Sequence, residues 1–174
     1  MLFRSAPPPR SGDKPLIHER YRALTSLGSS AKGGVYRCLD TQTQQEVILK
    51  EARPHVNRGR DRPHDAVAGL HNEWKVLQWL ADTGLTPRPL DFFQEWEHSF
   101  LVMERARGRK LSQLIASGEV SLVARGPVEA PELRRYGTRF LALARRLITA
   151  VRAVHARGVV LQDLSPNKIG RAHV

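Results

Sequence analysis

The stretch "LGSSAKGGVYRCLDTQTQQEVILKEA", residues 27–52, decides the fold of this 174-residue chain. Apolar and polar residues alternate in residues 34–40 and again in residues 46–52, on either side of the turn-forming segment TQTQQ. Together with residues 21–27, these runs predict a three-stranded antiparallel meander. Glycine and serine fill the first connection, where residues without bulk let a backbone approach phosphate groups. A strand follows these glycines, whereas a Rossmann fold would place a helix there.

Apolar residues at helical spacing follow the meander and predict an amphipathic helix within residues 65–81. Two further strands are predicted around residues 90–94 and 99–105, then a short helix near residues 111–117 and a longer helix from about Pro131. The sequence therefore predicts an α+β fold of two unequal lobes: a five-stranded antiparallel sheet with one helix, then a mainly helical part.

The composition narrows the class of protein. Hydrophobic residues make up 41% of the chain and charged residues 26%, which is typical of a packed domain. The net charge of +11 suits anionic partners, but the basic residues are scattered and lack an interleaved aromatic platform, which disfavours nucleic acid. A lone Cys38 leaves no disulfide framework or cysteine-based metal site. Without a membrane-length apolar run or a leader, we expect a cytoplasmic protein with no membrane partner.

Two charged residues in the predicted amino-terminal lobe lie among apolar neighbours. Lys50 ends an aliphatic run on the third predicted strand, and Glu73 is the acid embedded in the apolar stripe of the following helix, beside Trp74. The alternatives are an edge-strand lysine with a solvated tip, and a surface Glu73 paired with Lys75 or Arg62.

A polar loop after the long helix carries the candidate acid–base residue. In "HARGVVLQDLSPN", residues 155–167, Asp163 follows an aliphatic run and could accept a proton from a substrate hydroxyl.

In order and separation, these segments resemble the motifs of the protein kinase domain. The hairpin resembles G-x-G-x-x-G-x-V, residues 47–50 resemble V-A-I-K, "FLVMERARG" resembles the last strand and hinge, and residues 161–163 stand in place of H-R-D. The resemblance implies a bilobal fold in which Asp163 is catalytic. It also implies nucleotide-binding roles for Gly28, Ser30, Gly33, Val35, Lys50, Glu73, Met103, the Glu104 carbonyl and the Ala106 amide.

A closer resemblance, over residues 21–167, is to the kinase module of class III lanthipeptide synthetases, with "VILKEARPH" as its most telling piece. It implies that the parent protein phosphorylates Ser or Thr of a precursor peptide, using ATP or another nucleotide with Mg²⁺. It further implies a lyase module before this one and a cyclase-like module after it. A free-standing bacterial Ser/Thr kinase and a kinase-like binding module without catalysis are the alternatives. The kinase-like binding module gains weight from Leu161, Gln162 and Ser165, which depart from the kinase pattern.

Both ends of the chain depart from the resemblance. Lys168 stands where the metal-binding Asn of the catalytic loop is expected, and the D-F-G segment is absent. We therefore assign no metal ligand and expect these 174 residues to lack kinase activity. Residues 1–5, back-translated from a GTG start, are the reverse complement of a 15-nucleotide string that runs from codon 168 into codon 173 and resembles a common sequencing-library adapter. The hypothesis that residues 1–5 and 168–174 are adapter-derived is tested by long-read resequencing.

These considerations divide the chain into five segments. Residues 1–5 and 168–174 are the adapter-derived ends, residues 6–20 a Pro-rich linker, residues 21–104 the amino-terminal kinase lobe, and residues 105–167 the hinge and the start of a truncated carboxy-terminal lobe.

Overall fold

A computed structural model of the protein describes residues 16–54, 65–119 and 129–170. The described part confirms the predicted α+β fold and the type of every predicted strand and helix. The strands are β1 (Tyr21–Ser30), β2 (Gly33–Asp40), β3 (Gln45–Ala52), β4 (Pro89–Glu95) and β5 (His98–Glu104). The helices are α1 (Ala66–Trp79), α2 (Leu111–Ala116) and α3 (Ala130–Ala156), with a single 3₁₀ turn at Ala81–Thr83.

The chain divides into two compact units. The first comprises the described residues up to Lys75 together with Arg88–Arg105, and the second comprises Val76–Pro87 with the described residues from Ala106 onwards. Among the described residues, no helix is both long enough and apolar enough to cross a bilayer.

The first unit is built on a five-stranded sheet in the order β1-β2-β3-β5-β4, with antiparallel neighbours throughout. Side chains from every strand form one buried cluster, in which the ring of Phe93 stacks on Tyr21 at 5.8 Å and on Phe100 at 5.2 Å between centroids. Full burial of an aliphatic side chain such as Leu49 contributes about 1.5–3 kcal/mol. Burial raises the pKa of Cys38 to about 11, so its thiol stays neutral and packs as an apolar group.

Two irregularities in β1 explain why its leucines do not follow the alternation of a strand. The pairing with β2 shifts register between Ala23 and Thr25 and again between Ser26 and Gly28. Leu24 and Leu27 lie at these two β-bulges, and they are 38% and 56% exposed. The predicted strand is confirmed, but its second half does not bury the apolar residues that identified it.

The segment before β1 belongs to the first unit, although the sequence placed the start of the lobe at Tyr21. Arg20 donates two hydrogen bonds to the buried carboxylate of Asp40, at 2.9 and 2.8 Å. The ring of His18 stacks on Phe93 at 4.2 Å. Ile17 packs against the cluster. Residues 17–20 are therefore part of the fold rather than linker. Residues 1–15 and 171–174 lie outside the described residues, and the contacts of residues 168–170 do not test the adapter hypothesis, which stays a prediction.

The second unit is mainly helical. Pro131 lies in the first turn of α3, where its missing N–H leaves no helical bond unmade. The end of α1 joins this unit, because the indole of Trp79 donates to the carbonyl of Arg157 at 3.0 Å. Arg157 also forms a two-bonded ion pair with Asp82. Of the apolar stripe of α3, Val154 is buried, whereas Leu133, at 50%, is among the exposed apolar side chains.

Candidate functional site

The glycine-rich hairpin of residues 28–35 joins β1 to β2 and carries four of the predicted nucleotide-binding residues. Ser30 accepts a hydrogen bond from the amide of Lys32 at 3.3 Å, which closes the turn. Gly33 has φ +146°, and a Cβ there would lie 1.9 Å from the carbonyl oxygen of Glu51 on β3. Gly28, in contrast, is exposed and has open space where a Cβ would be. The glycine at position 33 is thus required by its contact with β3.

The predicted pair of Lys50 and Glu73 forms. Lys50 Nζ donates to Glu73 Oε1 at 2.5 Å, and the two side chains are 32% and 38% exposed. The helix that carries Glu73 is held against β4 by Trp74, whose ring lies 5.7 Å from that of Phe92. The alternative pairing of Glu73 with Lys75 does not occur, and Arg62 lies outside the described residues. This contact gives Lys50 a fixed, partly exposed ammonium group next to the hairpin strand, since it pairs in register with Val35.

The predicted adenine-edge residues lie at the end of β5. Met103 is 6% exposed and lies in register with Ile48 on β3 and with Pro89 on β4. The amide of Glu104 donates to the carbonyl of Arg88 at 2.9 Å, so this amide is already occupied. Ala106 begins the second segment of the second unit and is exposed. The role of the Glu104 carbonyl as an acceptor at the adenine edge stays a prediction. The Glu104 amide already donates to Arg88 and has no further hydrogen bond to give.

Asp163 lies in an exposed loop of the second unit, and its carboxylate forms an ion pair with the ammonium of Lys168. The loop continues into residues that cap α2, since the carbonyls of Pro166 and Ile169 accept the amides of Ser112 and Leu111 at 3.0 and 2.8 Å. The predicted base therefore has a cationic neighbour at the position where the kinase pattern places a metal ligand.

Metal binding finds no support in the part of the chain that the structure covers. No group of three or more His, Cys, Asp or Glu side chains there could hold a metal ion. The donor set around Asp163 does not fit Mg²⁺ either, because the ammonium of Lys168 repels a cation.

Sequence reasoning missed one set of residues close to the hairpin. Gly34, Tyr36 and Glu51 come together at the end of β3 that carries Lys50. The second glycine of "GGVY" was the available signal, because two adjacent glycines exceed what the kinase pattern requires.

Comparison with known proteins identifies the family. The protein kinase domain matches residues 21–169, and the chain belongs to this family. The match covers all five strands and the loop that holds Asp163. The predicted kinase resemblance is confirmed.

Individual relatives include a synthase as well as kinases. The protein named "Probable SapB synthase" of Streptomyces coelicolor is 40% identical over 144 residues, which are 83% of this chain and 15% of the relative. Serine/threonine-protein kinase D of Synechocystis is 22% identical over 157 residues, 88% of this chain and 27% of the relative. The DNA damage-responsive serine/threonine-protein kinase RqkA of Deinococcus radiodurans is 29% identical over 157 residues, 88% of this chain and 20% of the relative. The chain thus spans between about a seventh and a quarter of the length of these relatives.

Proposed function

We propose that this chain is part of a nucleotide-dependent Ser/Thr kinase, the kinase module of a class III lanthipeptide synthetase. In this function the parent protein phosphorylates Ser or Thr of a precursor peptide before phosphate is eliminated. The proposal combines the kinase family match with the 40% identity to the SapB synthase. The single observation that carries it is the ion pair between Lys50 and Glu73 at 2.5 Å.

That ion pair matters because it orders a cation beside a hairpin of small residues. A lysine on a strand has several rotamers, and the carboxylate of Glu73 selects one of them. The ammonium of Lys50 remains 32% exposed, so it can still meet an anionic oxygen. Phosphoryl transfer depends mainly on positioning and on charge stabilisation, and a fixed ammonium supplies both.

The residues of each unit would then have separate roles. In the first unit, Gly28, Ser30 and Gly33 would cover the phosphates while Lys50 binds them, and Met103 and the Glu104 carbonyl would face the base of the nucleotide. In the second unit, Asp163 would orient the substrate hydroxyl and accept its proton as the oxygen attacks the transferred phosphoryl group. Val35 would contribute an apolar contact to the nucleotide.

ATP, or another nucleoside triphosphate, is the proposed cofactor, and the hairpin and Lys50 fit its phosphates. Mg²⁺ would neutralise phosphate charge in the complete protein. Since the donor set around Asp163 does not fit Mg²⁺, no step is assigned to a metal here.

Nucleotide binding by the first unit is tested by titrating the chain with ATP and with GTP in a calorimeter. We expect saturable binding that Lys50→Met weakens at least about tenfold, the effect of losing one charge-assisted contact to phosphate. Glu46→Gln is the matched control, because Glu46 lies on the same strand but pairs with Arg105. Equal binding by the wild type and Lys50→Met would contradict the proposal.

Peptide phosphorylation is tested in the complete parent protein by mass spectrometry of a precursor peptide incubated with nucleotide. We expect phosphorylated and then dehydrated Ser or Thr, with both products absent in an Asp163→Asn variant. Phosphorylation without dehydration, together with flanking sequence that encodes neither a lyase nor a cyclase-like module, would favour a free-standing Ser/Thr kinase.

The second alternative is a kinase-like module that binds without catalysis, and Leu161, Gln162 and Ser165, which depart from the kinase pattern, favour it. The ion pair of Asp163 with Lys168 does not add to it, because residue 168 falls in the segment that the adapter hypothesis removes. Nucleotide binding by the complete protein with no phosphotransfer to any peptide would select this alternative.

A further inference from the structure

A buried carboxylate lies at the junction of β2, β3 and β5. The side chain of Glu51 is only 7% exposed, and it follows Lys50 directly in the chain. Consecutive residues of a strand point to opposite faces of a sheet, so Glu51 and Lys50 are on opposite faces of β3. Glu51 is therefore not a second ligand of a nucleotide bound at Lys50, and its burial needs another explanation.

Two hydrogen-bond donors and a close imidazole surround this carboxylate. The hydroxyl of Tyr36 on β2 donates to Glu51 Oε2 at 2.9 Å. Arg53 Nε donates to Oε1 at 3.1 Å, and His98 Nδ1 on β5 lies 2.7 Å from the same oxygen. Burial raises the pKa of Glu51, but the hydrogen bonds from Arg53 and Tyr36 outweigh burial and hold the pKa below its usual value. Glu51 is thus an ionised carboxylate that links three strands.

The two glycines at the start of β2 make room for this arrangement. A Cβ on Gly34 would lie 2.3 Å from the hydroxyl oxygen of Tyr36 and 2.5 Å from its ring carbon Cζ. The phenol of Tyr36 therefore passes over Gly34 on its way to Glu51. A Cβ on Gly33 would meet the backbone carbonyl of Glu51 itself. A further bond, from the amide of Arg53 to the carbonyl of Lys32 at 2.9 Å, ties the tip of the hairpin to the end of β3.

We propose that Glu51 is a positioning residue that clamps the glycine-rich hairpin of residues 28–35 onto the strand of Lys50. The hydroxyl of Tyr36 makes the connecting hydrogen bond to Glu51, and the lack of a side chain at Gly34 leaves room for the Tyr36 ring. The clamp fixes the separation between the hairpin amides and the ammonium of Lys50, the two groups that would hold a nucleoside triphosphate. This role rests on the proposed nucleotide binding, but the clamp itself can be tested without a nucleotide.

The first test measures amide hydrogen exchange of residues 29–34 in the 174-residue chain. Tyr36→Phe keeps the ring and removes only the hydroxyl. We expect it to speed exchange in the hairpin about tenfold, the effect of losing one hydrogen bond to a charged group, with unchanged exchange in α3. Glu51→Gln should act in the same direction, and Glu46→Gln, at the other end of β3, should leave the hairpin unchanged. Unchanged hairpin exchange in Tyr36→Phe would overturn the clamp.

The second test asks whether Gly34 exists to admit Tyr36. Gly34→Ala should speed hairpin exchange in the wild type, whereas in a Tyr36→Ala background it should add less than about twofold, because the clashing ring is gone. Effects that simply add in the double variant would contradict the proposed gap. Should a variant fold poorly, the exchange of β4 and β5 amides reports it, since a general loss of stability of the first unit speeds exchange throughout its sheet.

The third test separates positioning from a purely structural role. The ratio of the affinities for ATP and for adenosine isolates the phosphates, because adenosine has none. We expect Tyr36→Phe to lower this ratio about fivefold or more with little change for adenosine. Equal losses for both ligands would indicate a structural role alone. A wild-type chain that binds neither ligand would defeat the proposed function, while the exchange experiment would still decide the clamp.

Discussion

Alanine at Gly33 provides a sharp test of how the hairpin is held. The added Cβ would lie 1.9 Å from the carbonyl oxygen of Glu51 and 2.7 Å from its carbonyl carbon. Cβ atoms do not come closer than 3.0 Å to other heavy atoms, so β2 or β3 would have to move by about 1 Å. Both colliding atoms belong to the backbone, and no side-chain rotation can relieve the contact.

The expected loss of stability has two parts. A non-glycine residue at φ +146° is strained by about 1–3 kcal/mol. The overlap with β3 adds about 1–3 kcal/mol, as overpacking does elsewhere. Together they predict a decrease of about 4 kcal/mol in the free energy of unfolding, and this decrease is a large fraction of the about 5–15 kcal/mol that holds an ordinary domain folded. The melting temperature should fall by about 8–16 °C.

Gly28 is the matched control, because it lies in the same hairpin but has no atom within 4 Å of where its Cβ would be. Gly28→Ala should change the free energy of unfolding by no more than about 0.5 kcal/mol. Its effect should appear instead as weaker binding of a nucleoside triphosphate. Urea denaturation and calorimetric titration of the two variants measure both quantities. Equal stability of Gly33→Ala and the wild type would refute the geometric argument, as would equal destabilisation by both variants.

Three further predictions concern charged residues. Glu73→Gln should lower the free energy of unfolding by less than about 1 kcal/mol, because the pair with Lys50 is partly exposed. The same substitution should weaken triphosphate binding. A denaturation midpoint far below that of the wild type would contradict the small expected loss of stability. Hydrogen bonds from Arg20 lower the pKa of Asp40 against the opposing effect of burial. The stabilisation from ionised Asp40 is therefore present above the unfolded pKa of about 4 and is lost as the pH falls through the folded pKa. Asp40→Asn should lower the free energy of unfolding by about 2 kcal/mol or more at pH 7 and flatten the acid limb of a stability–pH curve. In the complete protein, Asp163→Asn should abolish phosphotransfer and leave nucleotide affinity within about twofold of the wild type, and a radiolabelled phosphotransfer assay with parallel titration checks both.

The sequence predicted β2, β3 and α1 because each carries a period that its burial enforces. Alternation identified β2 and β3, and the three-four spacing of apolar residues identified α1. Glu73 could be assigned to Lys50 because the kinase resemblance implies a carboxylate on the helix after the lysine strand, and Glu73 is the acid embedded in the apolar stripe of that helix. These features depend on local pattern, which a single sequence carries in full.

The features that the sequence did not predict depend on contacts between distant residues. Arg20 and His18 read as part of a polar linker, since their partners Asp40 and Phe93 lie far along the chain. The bulge that exposes Leu27 likewise arises from the pairing of β1 with β2, which no property of β1 alone specifies. The polar character of Arg20 and His18 therefore suggests a solvated segment, and only their distant partners show that both residues belong to the fold.

Contacts between distant residues also determine which glycines of the hairpin can indicate a function. Gly33 and Gly34 are small because Glu51 and Tyr36 occupy the space where side chains would be, so both would be glycine in this sheet with or without a nucleotide. Gly28 has no neighbour that requires it, so packing neither explains its identity nor points to a ligand. The motif match at Gly33 and the adjacent Gly34 thus report packing rather than phosphate binding. The case for nucleotide binding therefore rests on the ordered, partly exposed ammonium of Lys50 and not on the glycines.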